Sequence, residues 1–531
     1  MKISIRKDLN IATVRSESLW NKFKIHTLLQ NGERKQPSIN AYLATKYSKS
    51  SDSILDIASE VLTQNIHFIE NLEKVITKYG YGSIANMAEL FICMEGVPIL
   101  TAMKIFYTNS VISGQERSTR YLNLNNPEFT KIPREVCDNT DVRKEYERIM
   151  LKQLADYKDM LKPTREALAR YFSINLDSLQ ESSVLKSRAY DVTKYLLPVG
   201  LNTNVAYLMS AKSWSDEISY LLASDSVVDN EIADLLSNLL GEGQLELKGY
   251  IKEADGLIKY IDANCNRKNS AEEVINYLKK YISTDQIKDI PESEVESVSV
   301  SYSPDCTETL ISHYECLINP LGSANEFEFA DEDQENISEI LFARHDQNST
   351  IGNIGQSGAI KITGFASLGV LQNITRQSSL EKFIPLLHDN VDLGQELDRR
   401  DYQYFYLCDY LNVSSMNKLK KEYQKRLEET YVRIKAWRKY ANDFMSKDLV
   451  DEFTKYLLPY AHATKYIVYG SFDDLQSLIN SGLRNKEAIT YRMLVHEWLR
   501  LLALKDPIWK SLLKKVITPR VDDKVQFIDR S

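Results

Sequence analysis

Hydrophobic residues form the same strand-then-helix pattern at two places in the chain. Phe91–Val97 and Ala359–Phe365 are short apolar segments with a glycine near the end, and each predicts a strand. The residues that follow are apolar at spacings of three and four, which predicts a helix with one buried face. The positions on that face are Ile99, Ala102, Met103 and Phe106 after the first strand, and Leu368, Leu371 and Ile374 after the second.

A six-residue sequence, Thr-Lys-Tyr-Leu-Leu-Pro, occurs twice, at Thr193–Pro198 and at Thr454–Pro459. An acidic residue stands two positions before each copy, Asp191 in the first and Glu452 in the second. Each copy also follows one of the strand-then-helix patterns at nearly the same sequence separation. Ordered patterns that recur in this way indicate an internal repeat. We therefore predict two diverged copies of one unit in tandem.

The segments between these patterns favour an α+β fold. Val142–Phe172 and Met416–Phe444 are rich in Lys, Glu, Arg and Leu and predict long helices, whereas the predicted strands are short and few. Each unit is expected to be a small, mainly antiparallel sheet flanked by helices. A stretch rich in Ser, Asp, Glu and Pro, Ser283–Asp305, indicates the boundary. The predicted division is residues 1–285 for the first unit, 286–305 for the linker and 306–531 for the second unit.

Composition narrows the class of protein. The chain has 531 residues, 43% hydrophobic and 26% charged, with a net charge of −8 that argues against a binder of nucleic acid polymers. It contains no apolar run of about 18 residues and no apolar leader, so we expect no membrane segment and a cytoplasmic location. Six scattered cysteines suit a reducing compartment. Cys306, His313 and Cys316 are close in sequence, but no fourth ligand follows at zinc-finger spacing, so no metal site is predicted.

The segment Ser113–Tyr121 contains the main candidate residues for ligand binding. It reads Ser-Gly-Gln-Glu-Arg-Ser-Thr-Arg-Tyr and resembles the most characteristic stretch of the flavin-dependent thymidylate synthase (ThyX) family. Tyr79–Met87 upstream and Asp191–Pro198 downstream are similar to two further family segments, in the family's order. An arginine and a serine hydroxyl in one loop can neutralise and hydrogen-bond a phosphate. The alternative is a solvated polar turn in which Glu116 and Arg120 form an ordinary i,i+4 pair.

The resemblance implies a nucleotide substrate and flavin chemistry. In the family this segment binds the 5′-phosphate and sugar of dUMP. Reduced FAD then carries a methylene from methylenetetrahydrofolate to C5 of the base, with NADPH supplying electrons. The implied substrate-binding residues are Ser113, Gln115, Glu116, Ser118, Arg120, Tyr121 and, from the downstream segment, Lys194.

The sequence departs from the family where the flavin would bind. The family's Arg-His-Arg falls on Thr108-Asn109-Ser110, the histidine of its upstream segment is Tyr81, and the glutamate of that segment is Asn86. These replacements remove cationic and imidazole groups, so we expect weak or absent FAD binding. The remaining candidate cofactor-binding residues are Ser83, Asn86, Lys212 and Arg376.

The second half retains a different part of the family pattern. Arg376 falls on the first arginine of the family motif, and Arg484 falls near a later substrate-binding arginine. Sites of the family lie between subunits, so the resemblance implies one composite site in which Arg376 and Arg484 polarise the base held by the first half. It also implies a homodimer equivalent to the family tetramer. Two alternatives stay open: a catalytically silent nucleotide-binding or regulatory protein, and an enzyme of the same fold with another substrate.

Overall fold

A computed structural model describes most of the chain in pieces separated by gaps. The described residues are 2–6, 11–17, 24–30, 37–48, 82–108, 113–118, 127–240, 291–302, 359–377, 379–388 and 405–529, with a few short pieces elsewhere. They combine helices with small antiparallel sheets, which confirms the predicted α+β class. None of the described helices has both the length and the apolarity needed to span a bilayer.

The described part of the chain contains ten strands, none longer than ten residues. The strands are β1 (Lys2–Arg6), β2 (Ile11–Glu17), β3 (Lys24–Gln30), β4 (Glu89–Pro98), β5 (Ser113–Glu116), β6 (Asn202–Ser210), β7 (Ser299–Tyr302), β8 (Ile360–Ser367), β9 (Glu381–Phe383) and β10 (Ala463–Gly470). Both predicted strand-then-helix patterns are confirmed, because a helix begins directly after β4 and another directly after β8.

Long helices occupy the two charged segments, as predicted. The helices are α1 (Pro37–Tyr47), α2 (Gly82–Ala85), α3 (Ile99–Thr108), α4 (Thr140–Phe172), α5 (Leu179–Thr193), α6 (Ala211–Leu222), α7 (Val227–Leu240), α8 (Leu368–Thr375), α9 (Asn417–Ala441), α10 (Lys447–Leu457), α11 (Phe472–Gly482), α12 (Ile489–Ala503), α13 (Pro507–Leu513) and α14 (Lys524–Ile528). The first charged segment forms one continuous helix, α4, and the second forms α9.

The described strands form two sheets, and every strand pair in them is antiparallel. The larger sheet has six strands in the order β1-β2-β3-β4-β6-β5, so β5 lies at an edge. The smaller sheet has four strands in the order β7-β8-β10-β9. In both sheets the strand that precedes a buried helix (β4, β8) pairs with the strand that follows the Leu-Leu-Pro sequence (β6, β10).

Contacts between residues divide the chain into two compact units. The first unit contains the larger sheet, and the second contains the smaller sheet. Each unit is assembled from segments on both sides of the predicted linker. The first comprises Met1–Lys144, Gly200–Ile287 and Tyr440–Tyr456, and the second comprises Glu145–Val199, Lys288–Lys439 and Leu457–Ser531. The units therefore do not follow the predicted division at 286–305, which remains a proposal about how the sequence arose.

Strand β4 has one face against the core, as its alternation of buried and exposed residues shows. Leu90, Ile92 and Met94 are fully buried, whereas Phe91 between them is exposed, as expected for a strand with one face on the core. The register with β6 shifts just before Val97, where Gly96 has a φ of 74°. A glycine adopts this left-handed conformation without the steric cost that a side chain would add. Pairing with β6 resumes at Val97 and Pro98, and the chain then enters α3, whose residues from Ile99 to Phe106 are buried.

In the second unit, the Leu-Leu-Pro ends of the two repeated sequences pair with each other. Pro198 and Pro459 form an antiparallel bridge. The Val199 amide donates to the Leu458 carbonyl at 2.9 Å, and the Tyr460 amide donates to the Leu197 carbonyl at 2.8 Å. Proline has no N–H to lose at this position, and the neighbouring buried amides find their acceptors across the pair.

Part of the predicted linker is an element of the smaller sheet. Residues 299–302 form β7, which pairs with β8. Before it, the Ser297 hydroxyl accepts from the Phe365 amide at 2.8 Å and Glu294 is only 4% exposed. The acidic and Ser-rich composition of residues 286–305 had suggested a linker exposed to solvent. The partners that bury it come from β8, more than sixty positions later in the sequence.

Helices α4 and α9 pack together in the second unit through polar and aromatic contacts. The rings of Tyr146 and Trp437 lie 5.5 Å apart between centroids. The Tyr423 hydroxyl lies 2.7 Å from the Thr164 hydroxyl, and Arg426 of α9 forms an ion pair with Asp156 of α4. These contacts explain why two helices with such polar sequences nevertheless hold a common buried face.

A buried carboxylate in the first unit makes its stability depend on pH. The Glu452 carboxylate accepts from the Ser226 hydroxyl at 2.7 Å and from the Val227 and Val228 amides in the first turn of α7. Burial nevertheless raises the pKa of Glu452 from 4.5 to about 7. Because the folded pKa is the higher one, protonation stabilises the native state. That stabilisation is complete below the unfolded pKa and is lost as the pH rises through about 7.

We expect Glu452→Gln to remove this part of the pH dependence, because glutamine resembles the protonated acid. Between about pH 5 and 8 the free energy of unfolding of the variant should fall less steeply than that of the wild type. Urea denaturation at several pH values measures the slope. Glu429→Gln, at an exposed position of α9, is the control and should keep the wild-type slope. Identical slopes for wild type and Glu452→Gln would contradict the assignment.

Candidate functional site

The segment Ser113–Tyr121, which carries the family resemblance, begins as an edge strand and not as the expected loop or solvated turn. Ser113–Glu116 forms β5 and pairs with β6, with Gln115 opposite Ala206. Gly114 is required there, because a Cβ at this position would lie 2.6 Å from the Ala206 carbonyl oxygen and 3.0 Å from the Phe106 ring. The backbone of β5 is therefore held closely against β6 and α3, in a position that no larger residue could share.

The chain continues along β6 after the strand ends. The Arg117 amide donates to the Asn204 carbonyl at 2.8 Å, and the Thr203 hydroxyl donates to the Arg117 carbonyl at 3.4 Å. The Arg117 side chain is exposed and Ser118 is half-buried. The predicted phosphate ligand Arg120 and its neighbour Tyr121 lie outside the described residues. The backbone that leads to them is nevertheless fixed up to Ser118.

The candidate residues of β5 lie on two faces. Ser113, Gln115 and Arg117 are exposed, whereas Glu116 and Ser118 are half-buried, as alternation along a strand requires. Together with burial, the negative charge of Glu116 raises the pKa of Tyr207 well above 10, which places that carboxylate near the core side of β6. One ligand can contact both sets only around the free edge or the end of β5. The match to the family motif gave no indication that these residues lie on two faces.

Two candidate cofactor-binding residues, Asn86 and Lys212, lie near the start of α6, which Ser210 caps. The Ser210 hydroxyl donates to Asn86 Oδ1 at 3.1 Å and caps α6 by accepting from the Ser213 amide. Lys212, in the first turn of that helix, pairs with Asp216 at 2.7 Å in an exposed i,i+4 ion pair. Ser83 lies in α2, with its side chain outside the described part of the chain.

Two candidate positions of the first unit, Thr108 and Lys212, do not fit the phosphates of FAD. Thr108 stands where the family has the first arginine of its motif, and its hydroxyl donates to the buried Glu217 carboxylate at 2.5 Å. Lys212 forms an ion pair with Asp216 at 2.7 Å. A pyrophosphate placed here would meet a carboxylate where it requires cations. No catalytic step is therefore assigned to a flavin in this unit.

Arg376 and Arg484, the two arginines predicted to contact the base, both lie in the second unit. Arg376 ends α8, where its Nε donates to the Gln372 carbonyl at 3.0 Å and its guanidinium to Asn373 Oδ1 at 2.6 Å. Burial raises the pKa of Tyr491, and the charge of Arg376 opposes that rise. The Tyr491 hydroxyl also lies 3.2 Å from the position of a Cβ on Gly482, two residues before Arg484.

Buried polar atoms in this region lack partners among the described residues. The Arg484 Nε and the Tyr491 hydroxyl are both buried without a hydrogen bond. Such groups cost free energy unless a ligand or ordered water satisfies them.

Lys194, predicted from the downstream motif, is buried in the second unit. It begins the 3₁₀ turn Lys194–Leu196 after α5 and is 7% exposed. Its Nζ lies 3.5 Å from the Gly369 carbonyl and 6.0 Å from the centroid of the Tyr460 ring. These contacts connect the first copy of the repeated sequence to the start of α8.

A buried arginine that the sequence did not single out holds the loop that carries Arg484. Arg188 of α5 is 1% exposed and donates to the Glu487 carbonyl at 2.8 Å, to the Phe527 carbonyl at 3.2 Å and to the carbonyl of Asn485. It therefore joins the Arg484 loop to the C-terminal helix α14. Helical spacing gives one signal for this role: Arg188 lies four positions from both Val184 and Val192, which are buried.

The described residues contain no group of three His, Cys, Asp or Glu side chains that could hold a metal ion. Cys306, His313 and Cys316 lie outside the described residues. The prediction of no metal site is therefore untested at those positions.

Comparison with known families identifies the region that contains β5. Residues 27–244 match the model of the thymidylate synthase complementing protein (Thy1, ThyX) family. This ThyX region spans 218 of the 531 residues, and over it the chain is similar to the ThyX superfamily. No curated protein matches the chain. The ThyX region includes the β5 segment, Asn86, Lys194 and Lys212, whereas Arg376 and Arg484 lie beyond its end.

We expect Arg188→Met to destabilise the chain strongly. The substitution removes a buried cation and leaves several carbonyl groups without donors, which should lower the free energy of unfolding by roughly 3 kcal/mol or more. Urea denaturation measures the change, and limited proteolysis should cleave the C-terminal segment of the variant faster. Arg165→Met is the control, since Arg165 is exposed and bonds only the Ser182 hydroxyl among described side chains. Equal stability of the two variants would argue against a structural role for Arg188.

Proposed function

We propose that the chain is a ThyX-like enzyme that acts on a uridine nucleotide, in the synthesis of dTMP from dUMP. The observation that carries this proposal is the polar edge strand β5 and its continuation to Ser118, within the region that matches the ThyX family. An edge strand leaves backbone groups and alternate side chains available to a ligand. This is the segment for which the resemblance implies binding of phosphate and sugar.

The proposed roles follow the chemistry of each group. Ser118 and Arg120 bind the 5′-phosphate, where a guanidinium gives charge-assisted and bidentate hydrogen bonds. Glu116 binds the sugar or the base. Arg376 and Arg484 polarise the base carbonyls, the role that the family resemblance implies for them.

The exposed Arg117 adds a cation that the family resemblance did not assign. It shares the exposed face of the segment with Ser113 and Gln115. A phosphate at the end of β5 carries close to two negative charges, so a second guanidinium stabilises it further. Arg117 also offsets part of the negative charge of Glu116.

A second candidate function is nucleotide binding without catalysis, as in a regulatory protein. The Thr108–Glu217 and Lys212–Asp216 contacts favour it, because they occupy positions where a flavin site needs unpaired cations. The phosphate segment would be retained under either function. Binding of dUMP without turnover would separate this candidate from the first.

We also propose that the chain arose by tandem duplication of a ThyX unit. Both sets of elements follow the same order: a strand and a buried helix (β4–α3, β8–α8), a long helix with a shorter one (α4–α5, α9–α10), and a strand with two helices (β6–α6–α7, β10–α11–α12). Pro198 and Pro459 each lie between the shorter helix and the strand. A duplicated chain should assemble as a homodimer equivalent to the family tetramer.

Nucleotide binding tests the assigned residues. Arg120→Ala and Arg376→Ala should each weaken dUMP binding by roughly 10- to 100-fold, the effect of one charge-assisted hydrogen bond. The double variant should lose little more, since both residues act on one ligand. Isothermal titration calorimetry measures the affinities for dUMP and for deoxyuridine, which lacks the phosphate. Only Arg120→Ala should abolish the preference of the protein for dUMP over deoxyuridine. Arg134→Ala, at an exposed position, is the control. Unchanged dUMP affinity in Arg376→Ala would limit the site to the first half.

Flavin affinity should be weak. Replacing two charge-assisted contacts of the family, each worth roughly 1.5–3 kcal/mol, lowers affinity by about a hundredfold or more. The purified protein should therefore lack the yellow flavin absorbance, and added FAD should be removed by gel filtration. Thr108→Arg combined with Glu217→Gln restores a cation and removes the buried carboxylate, and it should increase retention of FAD. Stoichiometric FAD in the wild-type protein as purified would contradict this expectation.

A further inference from the structure

The larger sheet of the first unit packs against helices on one side, and residues on its other side are exposed. Helix α3 contacts both β4 and β6, and α6 contacts β6. Tyr207 of β6 points toward these helices, because its hydroxyl donates to the Ala102 carbonyl of α3 at 3.1 Å and its ring lies 6.2 Å from that of Trp214 in α6. Leu208, the next residue, therefore projects to the opposite side. We call this side, which carries Phe91 and Leu208, the outer face.

Two large hydrophobic side chains lie directly opposite each other on the outer face. Phe91 of β4 pairs with Leu208 of β6, and they are 36% and 38% exposed. The next pair along the strands, Cys93 and Ala206, is half-buried and has small side chains. The apolar area is therefore short and accessible. Polar residues flank it along the two strands: Glu89 and Ser210 at one end, and Glu95 and Asn204 at the other.

Three candidate substrate-binding residues of the β5 segment share the outer face. Residues that stand directly opposite each other in an antiparallel pair project to the same side. Ser113 stands opposite Leu208, and Gln115 stands opposite Ala206. Arg117, two positions further on, donates its amide to the Asn204 carbonyl, and its side chain is exposed. An aromatic ring, an amide and a guanidinium therefore lie on one accessible surface.

This apolar area is too small for a protein partner. Each side of a stable protein–protein interface buries about 800 Å² and contributes about 20–30 residues. The described strands β4 and β6 offer two large, partly exposed hydrophobic residues on the outer face. One flat ring matches that size, and the nearby guanidinium of Arg117 favours a ring that is linked to an anion.

We propose that Phe91 and Leu208 form a platform on which the base of a nucleoside monophosphate stacks, while Arg117 and the end of β5 hold its phosphate. The proposal rests on the proposed function, because it assigns a place to the base of the same nucleotide. It adds two residues, Phe91 and Leu208, that the family resemblance did not assign.

The spacing along the sheet suits this arrangement. The Leu208 and Asn204 positions are four residues apart on β6, which is roughly 13 Å at about 3.3 Å per residue. A mononucleotide and the extended side chain of Arg117 together cover that distance. The amide of Gln115 lies between the two ends and can both donate to and accept from the edge of the base. Stacking covers one face of the base and leaves its carbonyl groups accessible to other donors.

The alternative is an ordinary cross-strand pair that only stabilises the sheet. Phe91→Leu separates the two roles, because leucine keeps an apolar side chain opposite Leu208 but removes the aromatic ring. We expect this variant to keep the wild-type melting temperature and to bind dUMP about 5-fold or more weakly, the effect of losing one aromatic–base stack. Phe91→Tyr keeps the ring and should keep the wild-type affinity.

Isothermal titration calorimetry of the full-length protein with dUMP and with 2-deoxyribose 5-phosphate, which lacks the base, tests the platform. The wild type should bind dUMP more tightly than the sugar phosphate, and Phe91→Leu should weaken only the binding of dUMP. Phe383→Leu is the matched control, since Phe383 is 41% exposed on a strand of the smaller sheet. It should leave the affinity for dUMP unchanged.

A fluorescence measurement keeps the test valid if Phe91→Leu unfolds. Phe91→Trp introduces an indole on the outer face, and dUMP should quench its fluorescence, whereas 2-deoxyribose 5-phosphate should not. Sedimentation velocity should give the same mass for the wild type and the Phe91 variants. A change in mass would show that a second copy of the chain covers the outer face and would overturn the proposal.

The outcomes separate this proposal from the proposed function. If dUMP binds with an affinity that Phe91→Leu does not change, or no more tightly than the sugar phosphate, the platform is wrong and the phosphate site remains. Equal weakening of both ligands in Phe91→Leu would assign Phe91 a purely structural role. Absence of dUMP binding to the wild type would contradict the proposed function and the platform together.

Discussion

The pairing of the two Leu-Leu-Pro segments is the constraint on which the second unit depends. Four hydrophobic residues at this junction, Leu197, Val199, Leu458 and Tyr460, are fully buried, so their amides and carbonyls have no access to water. Two of these amides, those of Val199 and Tyr460, donate to the carbonyls of Leu458 and Leu197, across a sequence separation of about half the chain. A helix leads into each segment and a strand follows it. An error in either copy would therefore leave buried backbone groups unpaired and displace the elements on both sides.

Two buried charged side chains, Arg188 and Glu452, act mainly on the backbone. Arg188 donates to carbonyl groups of the Arg484 loop and of the C-terminal helix, and Glu452 accepts from the first turn of α7. Both connect segments that are far apart in sequence. A buried ion is costly to desolvate, and several fixed peptide dipoles offset that cost where one opposite charge would not. Each therefore specifies which loop or helix end belongs at its position.

Local arrangement, and not overall charge, decides the character of the candidate nucleotide region. The β5 segment presents hydroxyl, amide and guanidinium groups at an open sheet edge, which suits a phosphorylated ligand that wraps around the strand. The net charge of −8 by itself would not have suggested a phosphate site.

The sequence by itself determined the α+β class, the strand-then-helix patterns, the two long helices and the ThyX resemblance, because all of these depend on local periodicity or on residues close together in the chain. Tertiary structure decided the rest. Pairing with β6 converted Ser113–Glu116 from an expected loop into an edge strand and divided its side chains between two faces. Contacts with β8 buried Glu294 within an apparent linker. Burial and hydrogen-bond partners come from distant segments, and no local pattern encodes which segments will meet.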